Sequence, residues 1–330
     1  MTAVVAHRGA SALAPQNTLA AFEAAWRAGA HSIELDVRLT RDGHVVVIHD
    51  ESVDATTDGA GDVSSMDLAD LRRLDAGSWF APAFAGQRVP TFDEVVELLV
   101  ARPGIELLLE VKGAWGVADV RRLTEPIARA GLTDRVVAQS FWPRTVEALR
   151  HADPALRRGL LVAEWDEDLL ALCAELDVVA CNPHGRVLLD RPGLVTELHA
   201  AGLQVMVWTL DEPEQWALAT DAGVDAVITD RPDRLVGWLV GRRVAARGAA
   251  TTGALRPRRA ADRGSRPAHA ARRAPSGARR RRRRRPRRAS ARRPGARSAR
   301  PRRPAPPRVR RRRPRPRPPR GPGRSRCPRR

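Results

Sequence analysis

Two histidines and three carboxylates stand at the ends of short apolar runs in the first third of the chain. The runs are Ala6-His7-Arg8-Gly9, Ile33-Glu34-Leu35-Asp36-Val37, Val47-Ile48-His49-Asp50 and Leu109-Glu110-Val111-Lys112-Gly113. Glu34 and Asp36 are two apart, so on a strand they share one face. Three carboxylates suit one hard divalent cation bound through oxygen. Two histidines beside such a cation can exchange protons near neutral pH. Arg8 and Lys112 add positive charge suited to a phosphate. Together these groups describe a site for metal-assisted phosphodiester cleavage.

Each residue has a simpler account. His7 alone would be a strand-end histidine satisfied by backbone; beside His49, Glu34, Asp36 and Glu110 it points to chemistry. Glu34 and Asp36 follow Ile33 and Leu35 on a strand expected to be buried, where unpaired carboxylates are costly and a cation removes the cost. Lys112 is the single lysine of the chain. Arg-rich codon usage explains the scarcity but not the survivor, whose compact charge on a flexible stem an arginine fork does not reproduce. Asp50 is expected to orient its loop rather than ligate. Asp225 and Asp230 are expected to cap and tie the last strand connection. His31, His44, His151, His184 and His199 fall outside the constellation.

Positioning these groups requires a scaffold of strand ends. Up to about residue 240 short apolar strands alternate with amphipathic helices. Strands are expected at 3–6, 32–37, 44–48, 105–111, 135–139, 158–162, 177–181, 203–208 and 225–228. Helices are expected at 17–28, 91–101, 117–130, 143–150, 166–175, 192–201 and 212–222. The strands show little alternation, as when both faces are buried. Gly29, Gly131, Gly202 and Gly223 each follow a helix pattern, as C-terminal caps do. Repeated βα units of this number predict an α/β fold, a (β/α)8 TIM barrel over residues 1–241. Nine strand candidates compete for eight places. The link 38–43 is too short for a crossover helix, so 32–37 and 44–48 either pair as a hairpin or one lies outside the barrel wall. Residues from about 50 to 90, turn-rich with Trp79-Phe80, read as a small insertion over one rim.

From Arg242 the composition changes. Residues 242–330 carry 37 Arg against one acid, Asp262, a charge of +36; residues 1–241 carry −16. Arg279–Arg285 is an unbroken run of seven. An Arg/Pro-rich tail of this kind cannot offset its ordering entropy and is expected to be disordered. Two origins compete for it: an anion-binding tail for nucleic acid or an acidic surface, and GC-rich DNA read in a changed frame. Cys173, Cys181 and Cys327 lack metal-ligand spacing and are odd in number, which suits a reducing compartment. The N-terminus has no charged segment followed by an apolar one, and no apolar run approaches a membrane span. The expected location is the cytoplasm.

Residues 3–239 resemble the glycerophosphodiester phosphodiesterases. The resemblance rests on His7-Arg8-Gly9, Pro15 to Phe22, Gly29 to Asp36, Thr40-Arg41-Asp42-Gly43, His49-Asp50, Asp75 to Phe80, Leu109 to Gly113, Gln139-Ser140-Phe141, Val207-Trp208-Thr209, and Gly223 through Pro232, taken in order. It implies a catalytic acid/base pair, His7 and His49. It implies metal ligands Glu34, Asp36 and Glu110, phosphate contacts Arg8 and Lys112, and pocket walls Phe141 and Trp208. Two positions depart from the family pattern. Gln16 replaces the usual Glu, removing a charge beside Arg8, and Ala55 replaces a common Arg in the insertion. The implied reaction is hydrolysis of glycerophosphodiesters, such as glycerophosphocholine or glycerophosphoethanolamine, to sn-glycerol 3-phosphate and an alcohol. Either the glycerol 2-hydroxyl or water attacks phosphorus, with one divalent cation, Mg2+ or Ca2+, in the site. Two rivals remain at this point. A phospholipase C or D type enzyme on the same barrel should show an apolar rim. An Arg-rich nucleic-acid binder would need only the tail.

Overall fold

The computed structural model describes residues 2–253. Nine strands form one sheet: β1 (Ala3–Ala6), β2 (Ser32–Leu39), β3 (Val45–Val47), β4 (Glu106–Val111), β5 (Val136–Ser140), β6 (Arg157–Val162), β7 (Ala180–Pro183), β8 (Gln204–Val207) and β9 (Ala226–Thr229). β1 pairs with both β2 and β9, and every neighbouring pair is parallel except β2 with β3. Eight strands therefore close into a parallel barrel. The ninth candidate, β3, lies outside the wall: it turns back antiparallel along the end of β2, with Val37 opposite Val47. The short link that forbade a crossover helix makes this hairpin instead.

Helices cover the barrel, among them Leu19–Arg27, Phe92–Ala101, Val117–Arg129, Pro143–Ala152 and Pro213–Ala222. Thr91 and Glu94 close a reciprocal cap on the second of these. Besides a short helix in the insertion at Leu68–Leu71, which its sequence near 67–74 suggests, two helices lie outside the expected set, a short one at Gly185–Asp190 and a long one at Pro232–Gly253. The long helix runs through Gly241 and past Arg242, where a change of composition suggested an end; its Ala and Arg residues are good helix formers. The rest of the Arg-rich stretch lies outside the described residues. Among the described residues no helix is long and apolar enough to cross a membrane.

Period-two alternation decides what the barrel encloses. Ile33, Leu35 and Val37 of β2, and Leu107, Leu109 and Val111 of β4, point outward into one apolar layer beneath the helices. Val5, Leu108, Val137, Ala180, Met206, Ala226 and Ile228 fill the lower interior. Two residues further along the same inward rows the side chains change character. Val5 is followed by His7, Leu108 by Glu110 and Lys112, Val137 by Gln139, Met206 by Trp208, and Ile228 by Asp230. The C-terminal mouth of the barrel is thus charged above an apolar plug. The insertion has its own small core of Val46, Ile48, Val53, Val63, Leu71, Ala76 and Val89.

Candidate active site

β2 and β4 set the carboxylates side by side. Their register pairs Glu34 with Leu108 and Asp36 with Glu110, so Asp36 and Glu110 are level and Glu34 lies one step deeper. One oxygen from each of the three falls within 4.8 Å of the others, and all three residues are buried. Lys112, on the same row as Glu110, places its Nζ 2.9 Å from Asp36 Oδ1 and against Glu110 Oε1. It is thereby ion-paired to both carboxylates at once. Arg8 Nε is 3.3 Å from the other oxygen of Asp36, Oδ2.

This crowding separates the three acids. Burial and the charges of Asp36 and Glu110 push the Glu34 carboxyl well up. Burial and Asp36 push Glu110 up to about 7. Asp36 is also buried, yet Lys112 and Arg8 beside it hold its carboxyl far below the usual range. Three all-oxygen side chains, two of them unable to ionise cheaply without more positive charge, fit a hard divalent cation.

Each histidine has a carboxylate partner. His7 continues β1, its amide bonded to the Thr229 carbonyl, and its Nδ1 lies 2.6 Å from Asp230 Oδ1. Ser11 Oγ donates to the same oxygen, and Asp211 accepts from the Asp230 amide. His49 Nδ1 lies 2.7 Å from Asp50 Oδ1. The antiparallel return of β3 brings His49 back to this level, because the Ile48 amide donates to the Asp36 carbonyl. Burial lowers the His49 pKa and the Asp36 charge opposes it; Lys112 and Arg8 lower it further. Asp50 thus orients a histidine rather than a loop. Asp230, expected as a cap, holds the other one.

The loop after β1 is shaped around Arg8. Its φ of 56° is left-handed, and its amide donates to Glu34 Oε2 at 2.9 Å. Gly9 follows at φ 83°, where a Cβ would sit 2.6 Å from the Ala21 carbonyl carbon. Asn17, also left-handed, donates its amide to Asp36 Oδ2 at 2.8 Å and accepts from the Asp36 backbone. Gln16 accepts from Arg8 Nη1 at 2.8 Å, so the departure from Glu keeps the contact and loses only the charge.

His7, Arg8, Glu34, His49, Glu110, Lys112, Phe141 and Trp208 line one cavity of about 60 Å³ with Gln139, Leu161 and Ile228. Asp36 lies behind it within the acid trio. Phe141 and Trp208 meet edge to face at 5.5 Å, and the Trp208 indole N–H is satisfied by the Asn182 carbonyl. Their rings are left as an apolar wall. The nine expected residues thus converge at one barrel mouth. Asn17, Gln139 and Asp230 belong there too without having been assigned a site role. Gln139 sits on an inward row and was findable by alternation; its Oε1 accepts from Asn182.

Comparison with known proteins agrees with this geometry. A sequence profile of the glycerophosphoryl diester phosphodiesterase family matches residues 7–234. A glycerophosphodiester phosphodiesterase of Caldanaerobacter subterraneus is 36% identical over 239 residues, 71% of this chain and 96% of its own. One from Bacillus subtilis is 46% identical over 246 residues, 69% of this chain and 83% of its own. The crystal structure of a glycerophosphodiester phosphodiesterase from Agrobacterium tumefaciens superposes with a TM-score of 0.64 at 32% identity, covering 72% of this chain and all of that one. A phosphodiesterase from Oleispira antarctica, solved with its product sn-glycerol-3-phosphate, gives 0.68 at 28% identity over 72% of this chain and 97% of that one. By profile, sequence and structure, the chain belongs to the glycerophosphoryl diester phosphodiesterase family, enzymes that hydrolyse glycerophosphodiesters.

Proposed function

We propose that the chain cleaves glycerophosphodiesters to sn-glycerol 3-phosphate and a free alcohol with His7 and His49 as its acid/base pair. The observation that carries the reading is the pair of carboxylate-backed histidines lining one cavity with Arg8, Lys112 and the acid trio. Glu34, Asp36 and Glu110 would hold one divalent cation, Mg2+ or Ca2+, which when bound supplies Lewis-acid polarisation of the phosphate. Arg8 and Lys112 bind the phosphate oxygens, and Lys112 follows the charge that grows on them. Phe141 and Trp208 cover the carbon atoms of the glycerol arm. One histidine removes the proton of the attacking hydroxyl, and the other protonates the departing alkoxide, otherwise a poor leaving group. Asp50 and Asp230 fix the ring tautomers, each by holding an Nδ1 so that the Nε2 faces the cavity.

The test is turnover of purified protein on a panel of glycerophosphodiesters, with chelator and with each metal in turn. A transient cyclic phosphate in the phosphorus NMR spectrum would identify the glycerol 2-hydroxyl as the nucleophile. Full turnover in excess chelator would remove the cation from the reading. The free, buried Cys173 and Cys181 support a reducing, cytoplasmic setting. The positive charge of the Arg-rich stretch supports non-specific binding of nucleic acid or another polyanion.

A further inference from the structure

A phosphodiester has two arms, and the cavity that holds the histidines is walled on one side by Phe141 and Trp208. A second cavity of about 350 Å³ opens beside it, and Lys112 lines both. The second cavity lies between β2, the start of the insertion and the loop after β4, where Trp115 forms the floor. Its charges are ordered. At the inner end are Lys112, buried against the acid trio, and Arg38, which donates from Nε to the His49 carbonyl at 2.9 Å. Arg38 continues the inward row Glu34, Asp36, and is half-buried. At the rim are Glu51 and Asp62, both exposed. The backbone holds them close: the Val63 amide donates to the Glu51 carbonyl, and Ser52 bridges to Asp62. Glu51 is the strongest counter-charge felt by Arg38, and no direct salt bridge to either rim carboxylate is seen among the described residues.

A cavity that is positive beside the reacting phosphate and negative at its mouth is complementary to a dipolar arm. Resting on the hydrolytic reading above, we infer that this cavity is the leaving-group subsite and that Glu51 and Asp62 select alcohols bearing an ammonium group a short distance from the phosphate. A neutral polyol arm can donate hydrogen bonds there but lacks the charge attraction, and an anionic arm is repelled. Arg38 serves the subsite twice, by lining its inner end and by fixing the segment that carries His49.

The experiment compares kcat/KM for glycerophosphocholine and glycerophosphoethanolamine with that for glycerophosphoglycerol, whose leaving arm is uncharged, at low ionic strength. The parent enzyme should prefer the cationic arms. Glu51→Gln and Asp62→Asn should each lower the ratio of cationic to neutral by about two- to fivefold, the range of an exposed charge contact. The double variant should bring the ratio near unity, and Glu51→Lys should carry it below that of Glu51→Gln. Added salt should shrink the preference of the parent and leave that of the double variant where it is. Thermal melts establish that each variant is folded. A parent without preference, or a double variant with the parent's ratio, overturns the subsite while leaving hydrolysis standing. Absence of turnover on all three substrates under every metal overturns the hydrolytic reading and the subsite with it.

Discussion

Glu110 keeps its proton to about pH 7, against an ordinary value of 4.5, because burial and Asp36 oppose its charge. A raised carboxyl pKa means that the folded protein binds more protons than the unfolded chain between these two values. Without metal, stability from this group is therefore present below that window and is lost as pH rises through it. A cation needs the ionised carboxylate, so its affinity should rise over the same window and its uptake should release protons. The increase in Tm given by saturating Mg2+ or Ca2+ should thus be larger at pH 8 than at pH 6. Calorimetry in buffers of different ionisation enthalpy should register the released protons. Glu110→Gln should diminish both effects, leaving the share of Glu34, and nearly abolish turnover; an unchanged Tm increase in that variant would take Glu110 out of the cation site. The histidines make a separate prediction. His7→Ala and His49→Ala should each slow turnover by about 10²- to 10⁴-fold. A nitrophenyl ester, whose leaving group needs no proton, should rescue only the variant that lacks the acid. Equal rescue of both would mean that the two rings do not divide the work.

At the scale of elements, the loop after β1 allows no bulk. Gly9→Ala adds a methyl group against the Ala21 backbone at a left-handed φ. It should cost about 1–3 kcal/mol of stability and displace Arg8 from Glu34, seen as a lower Cm in urea and a higher KM. Retention of both parent values would mean that the loop has room the geometry denies. Sequence alone made the strand ends readable, because His7, Glu110 and Lys112 simply continue period-two rows whose apolar members are unmistakable. It left β3 open, since a three-residue strand carries too little pattern to declare its direction. The partners of the histidines and of Asp36 were hidden for a different reason. Asp230 reaches the site across the closing seam of β1 and β9, and Asn17 from the loop after β1; nothing in their local sequence distinguishes a side chain that caps a turn from one that turns inward. Asn17 itself and the neighbouring Arg8 owe their places to left-handed backbone that non-glycine residues seldom adopt. Local propensity argues against such conformations, so only the assembled fold reveals them.

Over the whole molecule, charge is divided between a body of −16 and a C-terminal stretch of +36. We propose a functional boundary near Gly241, although the last helix continues to Gly253. Arg242 packs over Trp238, pairs with Asp221 at 2.6 Å and donates to Thr220. A chain ended at Gly241 should keep its turnover and melt slightly lower than one ended at Gly253, by the small amount an exposed pair supplies. Both should lose the salt-sensitive binding of DNA and RNA expected of the full chain, whose affinity should fall steeply as salt rises. Loss of turnover in both would place the Arg-rich stretch within the enzyme. The barrel seam has one more consequence. His7 directly follows the first strand of the barrel, and the aspartate that holds it arrives 223 residues later, directly after the last. No nascent fragment can assemble this half of the site, so a chain interrupted before Asp230 should lack turnover. Turnover in a translation reaction therefore times the closing of the barrel itself, with no label or probe added.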